Sequence, residues 1–482
     1  MKRLYFSFLL IALSAGNPAK SQCDCPWPTD VIILHVNDMH AKIDNMGKLA
    51  YLVDSLEREC RHVFVVAAGD NFTGNPVVDM VSDKGYPMID LMNRCGFDVS
   101  AFGNHEFDLG QETLNRRIRQ ARFPFISCNL DATDDVLKQP RAFIKRRAGA
   151  GNRIAFLGVT QIGPNGLPDS HPSRLQGLQF CEPLGTAKRF SCLKDRFVLI
   201  GITHLGLDAD RQLADQMPQL DLIIGGHSHD RLDSGLTRNG VLITQTGNGL
   251  KYIGKTFLRL ERGRVIYKKE EMIPFSSLTR TDPKVQKLID AYNANEELSR
   301  VVGVAKEAIE GYPQLGSMMT DALVSATGAD IAFQNRGGIR TPSFQKGEIT
   351  LKDIYRLDPF GNQVVVLSMN AREIRSLICY GFGLEKCLDL EVAGMTYEVK
   401  TGKDGSCANV ILRDPSGQPL DETREYKVAV NSYVSSAYRF DHRDPGTTLP
   451  LGTADALISY LEKMKEVDYT GVSRISVSAE TP

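Results

Sequence analysis

Seven side chains of metal-ligating type each stand just beyond a short apolar run. Asp38 and His40 follow Val31-Ile32-Ile33-Leu34, Asp70 follows Val63-Phe64-Val65-Val66-Ala67-Ala68, and Asn104 follows Val99-Ser100-Ala101-Phe102. His204 closes Val198-Leu199-Ile200-Gly201-Ile202-Thr203, while His227 and His229 come after Leu222-Ile223-Ile224. Carboxylate, imidazole and amide donors suit zinc, manganese, cobalt or iron rather than a metal that seeks thiolates. So many donors exceed the needs of one ion and would leave charges unpaired. Two divalent ions sharing a carboxylate fit them better, and such a pair serves both the attacking and the leaving oxygen in a displacement at phosphorus. His105 and Asp108 lie in the same loop as Asn104.

The apolar runs must be strands whose ends meet. Residues about 30 to 275 alternate such runs with helix-like segments, for example 47–60 and 111–122, which predicts an α/β domain with a buried sheet. Loops at one edge of such a sheet converge, and that is where α/β folds place their sites. Gly69 and the pair Gly225-Gly226 are expected to let the backbone bend beside a ligand. His35, His62, His171 and His442 lack that setting and are expected in the core or on the surface, without a role. From Asp282 to about Ala308, Val285, Leu288, Ile289 and Tyr292 recur at helical spacing and predict one long connecting helix. Beyond it, a strand at Gln363 to Leu367 and helices at 371–380 and 453–463 give a second core.

With 57 basic and 58 acidic residues spread along 482 positions, the chain has no overall field for gathering polyanions, which argues against nucleic acid as a partner. Met1-Lys2-Arg3, the apolar stretch Leu4 to Ala15 and Ala19-Lys20-Ser21 read as an export signal cut after Ser21. Its core is too short to span a bilayer, which takes ~20 residues, and no later stretch is long or apolar enough. A lipid anchor at Cys23 is the lesser reading, because Lys20-Ser21-Gln22 lacks the apolar and small residues of a lipoprotein signal. The expected location is therefore periplasmic or secreted. Ten cysteines fit an oxidising compartment, with Cys181–Cys192 and Cys379 with Cys387 or Cys407 as candidate pairs. Cys60, Cys95 and Cys128 sit in or beside apolar segments and are expected as buried thiols.

In order, Asp38-x-His40, Gly69-Asp70, Gly103-Asn104-His105-Glu106, Thr203-His204 and Gly226-His227-Ser228-His229 resemble the metallophosphoesterase superfamily, and with the second half its secreted 5′-nucleotidase branch. The resemblance implies a four-layer α/β sandwich over residues 30–275, a linker helix over 276–308 and an α/β substrate-binding domain over 309–482. It implies one ion held by Asp38, His40, Asp70 and His229 and another by Asp70, Asn104, His204 and His227. His105 would be catalytic, oriented by Asp108. Glu106 has no ligand role in that scheme and is expected as a solvated acid or as support behind the ligands. The loop Asn335 to Arg340 is similar to the family's arginine-bearing glycine loop, and Asp358-Pro359-Phe360-Gly361-Asn362 to the motif of its first stacking ring. Asn335, Arg340, Phe360, Asn362 and Tyr433, the last as second ring, are thus the expected contacts to a nucleotide or related phosphate ester.

Two departures bear on the substrate. No arginine occurs in Gly311 to Gly316, and Ser435-Ser436-Ala437-Tyr438-Arg439 replaces the family's Gly-Gly-Asp-Gly, leaving Asp441 as the acid that could take its place. The implied reaction is hydrolysis of nucleoside 5′-monophosphates. A UDP-sugar or cyclic-nucleotide phosphodiesterase, a broad phosphomonoesterase, a thiosulfohydrolase and a non-catalytic binding protein are the alternatives. The residues set no oligomeric state.

Overall fold

The computed structural model describes residues 28–133, 136–149, 151–163 and 165–479. The expected export signal and Cys23 lie outside them. In the first half, two six-stranded sheets pack face to face. One runs Arg264–Pro274, Tyr252–Glu261, Thr29–Val36, Val63–Ala67, Val99–Ala101, Phe125–Ile126, the last four parallel. The other runs Leu236–Arg238, Val241–Thr244, Leu222–Ile224, Val198–His204, Arg153–Thr160, Phe143–Arg147, its middle four parallel and both edge strands antiparallel.

Burial on both faces explains the unbroken apolar runs. In Thr29–Val36, Val31 and Ile33 enter the seam between the sheets, while Ile32, Leu34 and Val36 face the outer helices. Helices Met46–Glu59, Tyr86–Arg94 and Gln111–Gln120 cover the first sheet through Leu49, Val53, Met88, Leu91 and Leu114. Pro183–Lys188 and Leu207–Gln216 cover the second through Ala187, Leu213 and Ala214. These are the four expected layers.

The connecting helix is shorter than its periodicity suggests. It spans Pro283–Asn293, with Asp282 capping the backbone N–H groups of Lys284 and Val285 at 2.9 and 2.8 Å. Val285 and Ile289 sink into the core of the first half, so the helix is docked on that half. The β-branched run that follows forms strand Val301–Ala305, which pairs with Gly347–Thr350 and Glu466–Val467. The second half therefore starts before residue 301 rather than at 309, and only residues 294–300 link the two.

That second half centres on a five-stranded sheet, Leu390–Ala393, Ile331–Asn335, Tyr426–Asn431, Gln363–Met369, Thr447–Gly452. Helix Ala371–Glu385 packs on it in one core, and Gly311–Thr327 with Thr453–Met464 forms another. Among the cysteines, Cys379 pairs with Cys407. Cys181 and Cys192 are exposed and unpaired, contrary to expectation, and Cys387 is also free. Of the three expected buried thiols, Cys95 is buried, while Cys60 and Cys128 are half-buried.

The bridge Cys379–Cys407 closes a loop of 28 residues that ties helix Ala371–Glu385 to strand Cys407–Arg413. Replacing both cysteines by alanine is expected to lower stability by about 3 kcal/mol. Thermal unfolding of the variant beside the wild type, with and without reductant, checks this, and reductant should shift the wild type alone.

Candidate active site

All seven candidate ligands lie at the carboxyl ends of parallel strands. Asp38, His40, Asp70 and Asn104 follow three strands of the first sheet, and His204, His227 and His229 end or follow two of the second. Five of them, Asp38 (φ 49°), His40 (46°), Asp70 (55°), His227 (78°) and His229 (58°), adopt the left-handed backbone region. Each such conformation costs a residue with a Cβ about 1 kcal/mol, so a cluster of them marks a site whose geometry is imposed by its surroundings.

The surroundings are specific. Glu106, fully buried, accepts backbone N–H groups from Asp70 (2.9 Å), Asn71 (2.7 Å) and Gly103 (2.5 Å), and the Asn71 side-chain amide at 2.9 Å. It is not a solvated acid. It ties the Asp70 loop to the Asn104 loop. Gly69 has φ 87°, as a bend beside a ligand requires. Gly226 instead serves close approach, since a Cβ there would lie 2.8 Å from the Ala68 carbonyl and 2.9 Å from His204 Nδ1. Gly103 does the same, with Asp70 Oδ1 at 2.2 Å from a Cβ. Asn37 accepts from the Thr246 N–H and hydroxyl and donates to Asp38 Oδ2 at 2.7 Å.

The ligand atoms point inward because their other ends are occupied. His204 donates through Nδ1 to the Ala68 carbonyl at 2.7 Å, which turns Nε2 toward Asp70 Oδ2 at 3.1 Å and Asn104 Oδ1 at 3.2 Å. Asn104 donates to the Asp169 carbonyl at 3.0 Å, and its Oδ1 also meets His227 Nδ1 at 3.0 Å. His40 donates through Nδ1 to the Thr73 carbonyl at 3.2 Å, turning Nε2 toward His229 Nε2 at 3.1 Å. Asp38 Oδ1 is buried without a hydrogen bond, with His229 Nε2 at 3.3 Å and His40 and His204 Nε2 each at 3.9 Å. Carboxylate, amide and imidazole donor atoms thus converge on one another, an arrangement that draws in positive charge, and the donor set fits divalent ions.

Electrostatics tell the same story. Burial disfavours a charged His204, yet Asp70 and Asp38 push its imidazole up to about 10. Burial also works against charge on Asp70, but His204 and His105 hold its carboxyl well below the usual range. Burial and the neighbouring His204 bring His227 down to about 4.

Beside this cluster, His105 Nδ1 meets Asp108 Oδ2 at 2.6 Å, and Asp108 Oδ1 accepts the Ser170 hydroxyl at 2.8 Å. Burial opposes the imidazolium of His105, but Asp70 and then Asp108 raise it above its ordinary value. Asp169, next to Ser170, receives Gln161 at 2.8 Å and lies 3.7 Å from His227 Nε2. Residues 161–170 carry neither helical nor alternating periodicity, so Gln161, Asp169 and Ser170 gave no signal in the sequence.

The second half reaches the same place. Arg340 Nη2 lies 3.1 Å from His40 Nε2, and its guanidinium is 5.7 Å from the Phe360 ring. Phe360 stacks on His105 with centroids 5.7 Å apart at 29°. Asn335 Oδ1 accepts from Asn431 at 2.8 Å and Asn362 Oδ1 from the Ser432 hydroxyl at 3.1 Å, joining those loops to the one that bears Tyr433. Burial, then Asp169, Asp389 and Asp108, raise the Tyr433 phenol, which places two of those acids across from it in the first half. The altered segment puts Tyr438 on Asp389 at 2.5 Å and edge-on to Tyr433. Asp441 is exposed, its N–H on Ser376. Arg336 is committed to buried Glu391 at 2.7 Å.

Comparison with known proteins agrees with this geometry. Residues 31–231 match the calcineurin-like phosphoesterase family and residues 296–439 the 5′-nucleotidase C-terminal domain. The chain is 26% identical over 565 residues to a 5′-nucleotidase of Vibrio cholerae, covering 100% of this chain and 98% of that protein. It is 27% identical over 470 residues to the trifunctional nucleotide phosphoesterase protein YfkN of Bacillus subtilis, covering 84% of this chain but only 32% of that much longer one. A 5′-nucleotidase precursor from Thermus thermophilus superimposes with a TM-score of 0.82 at 24% identity, over 94% of this chain and 100% of the other. With one model matching the ligand-bearing half and the other the half that supplies Arg340 and Phe360, the chain belongs to the two-domain 5′-nucleotidase family of calcineurin-like metallophosphoesterases.

Proposed function

We propose that the cleft holds two divalent cations and that the protein hydrolyses nucleoside 5′-monophosphates to nucleoside and phosphate. The observation that carries the reading is the convergence of His204 Nε2 on Asp70 Oδ2 and Asn104 Oδ1, at 3.1 and 3.2 Å, beside the group Asp38, His40 and His229. In this assignment Asp38, His40, Asp70 and His229 hold one ion, Asp70, Asn104, His204 and His227 the other, and Asp70 is shared. Zinc, manganese, cobalt and iron suit such donors. Bound there, the ions supply Lewis acidity toward a water nucleophile and toward the phosphoryl oxygens.

The chain's own groups do the rest. Asp108 holds Nδ1 of His105, so Nε2 turns toward Asp70, 3.9 Å from its Oδ2, where it can protonate the departing 5′-oxygen. Arg340 offers a fork of donors to phosphate oxygens, and Phe360 and Tyr433 offer ring faces to the base. Asn335 and Asn362 present their remaining amide groups from loops already fixed by Asn431 and Ser432. Because Phe360 rests on His105, a nucleotide enters only if the halves shift, and residues 294–300, between docked helix and strand, are the hinge in this reading.

A periplasmic or secreted location accompanies the proposal. It is supported by the basic and apolar start of the chain and by the Cys379–Cys407 bridge. No helix among the described residues is long and apolar enough to cross a membrane.

Phosphate release from a panel of nucleoside 5′-monophosphates, a UDP-sugar, a 2′,3′-cyclic nucleotide and a sugar phosphate tests the reading. The expected result is the highest kcat/KM for the 5′-monophosphates, loss with chelator and recovery with added divalent metal. A preference for a diester, or activity indifferent to chelation, overturns it.

His105→Asn is expected to lower kcat by about 100-fold or more while metal content stays at wild-type level. Asp70→Asn, which weakens the shared charge, should lose both activity and metal. Metal analysis beside kinetics separates the two. Glu106→Gln turns an amide NH2 toward backbone donors, and should lower stability by about 2–3 kcal/mol and weaken metal retention, read by thermal unfolding and by titration with a chelator.

A further inference from the structure

Away from the cleft, the open edge of the second sheet carries a shallow recess of about 330 Å3 lined by Lys145, Arg146, Arg147, Arg153, Arg196 and Phe197. Five cations and no acid line it. Arg146 is partly neutralised by Asp98, whose carboxylate lies at 3.5 Å. Lys145, Arg147, Arg153 and Arg196 are exposed and form no ion pair among the described residues. Basic residues elsewhere on the surface do pair, Arg259 with Asp30 at 2.7 Å and Arg211 with Asp208 at 2.8 Å among them.

The recess also sets like charges against one another. Arg147 and Arg153 are register partners across adjacent antiparallel strands, where two cations facing each other destabilise the pair. The side chains lie on aromatic rings, with Arg153 5.0 Å and Lys145 5.4 Å from Phe197, and Lys145 5.3 Å from Phe143. Their stems are held down and their charges gathered at the rim. In a chain of net charge −1 this concentration is local, and a multiply charged anion would relieve it.

The place where the chain leaves the body says which anion. Asn152, in the turn between those two strands, donates to Thr29 Oγ1 at 3.1 Å. A Cβ on Gly149, in the same turn, would lie 3.2 Å from Thr29 Cγ2. The first described residues, Pro28 and Thr29, therefore stand beside the recess. From Cys23 to Pro28 the backbone reaches at most ~18 Å. A lipid on Cys23, the lesser reading of that segment, would bring this edge to a bilayer.

We propose that the recess and its rim form a docking surface for an anionic lipid bilayer, with headgroup phosphates seated among Arg147, Arg153 and Arg196. Soluble phosphates share that chemistry. The choice of lipid rests on the spread of five cations along an open edge and on its position beside the first described residues.

The test compares the metal-loaded wild type with R147Q/R153Q/R196Q in sedimentation with phosphatidylcholine vesicles and with vesicles carrying about a third phosphatidylglycerol. The wild type should favour the anionic vesicles, lose that preference in high salt, and exceed the triple variant in partitioning by on the order of 100-fold. Phosphate release from a soluble nucleotide and the unfolding temperature should match between the two, and should the triple variant unfold, R147Q/R196Q, which leaves Arg153 on Phe197, takes its place. Calorimetric titration with inorganic pyrophosphate separates the soluble source. Equal partitioning of wild type and variant, no preference for anionic vesicles, or saturable pyrophosphate binding without vesicle preference each overturns the proposal.

Discussion

Metal-ligating atoms of two buried carboxylates, an amide and several imidazoles, crowded together at the ends of strands, are the constraint from which the rest of this structure follows. Asp70, His204 and Asn104 converge within 3.2 Å, and Asp38 Oδ1 is buried among three imidazoles without a hydrogen bond. The buried carboxylates of Asp38 and Asp70 draw positive charge to it, and the His204 imidazole beside them is raised for that reason. A site of this kind is stable only when positive charge occupies it, so ion binding and the local fold draw on the same free energy.

The scaffold is arranged to hold that unfavourable cluster together. The inward Nε2 of two histidines is fixed by an outward hydrogen bond, His204 on the Ala68 carbonyl and His40 on that of Thr73. The ligand loops take left-handed backbone at residues that carry side chains, and Glu106 compensates by receiving N–H groups from two of those loops at once. Parallel strands from two facing sheets end at one edge, so donors distant in sequence arrive with little freedom to drift.

The second half completes the cleft without contributing to the cluster. It delivers Arg340 to His40 and Phe360 to His105 across a junction of a few residues, while the preceding helix stays packed on the first half. Its own framework is separate, a five-stranded sheet with helices and the Cys379–Cys407 bridge. In the proposed reading, that division lets a substrate-bearing half move against a ligand-bearing one.

By itself, the sequence determined the elements and the candidate ligands. Apolar runs buried on both faces need no tertiary knowledge to be read as strands, and Asp38, His40, Asp70, Asn104, His204, His227 and His229 announce themselves by standing where those runs stop. Tertiary structure decided what depends on partners far along the chain. Glu106 becomes a clasp rather than a solvated acid only because the Asp70 loop lies beside it, and Ser170 finds Asp108 across 62 residues. Gly226 is small for the sake of Ala68 and His204 rather than for a bend of its own. The connecting helix ends at Asn293 because Val301–Ala305 gains two strand neighbours from the second half, a gain that helical periodicity cannot register. Local pattern records which face a residue turns; the partner it meets there is fixed by packing.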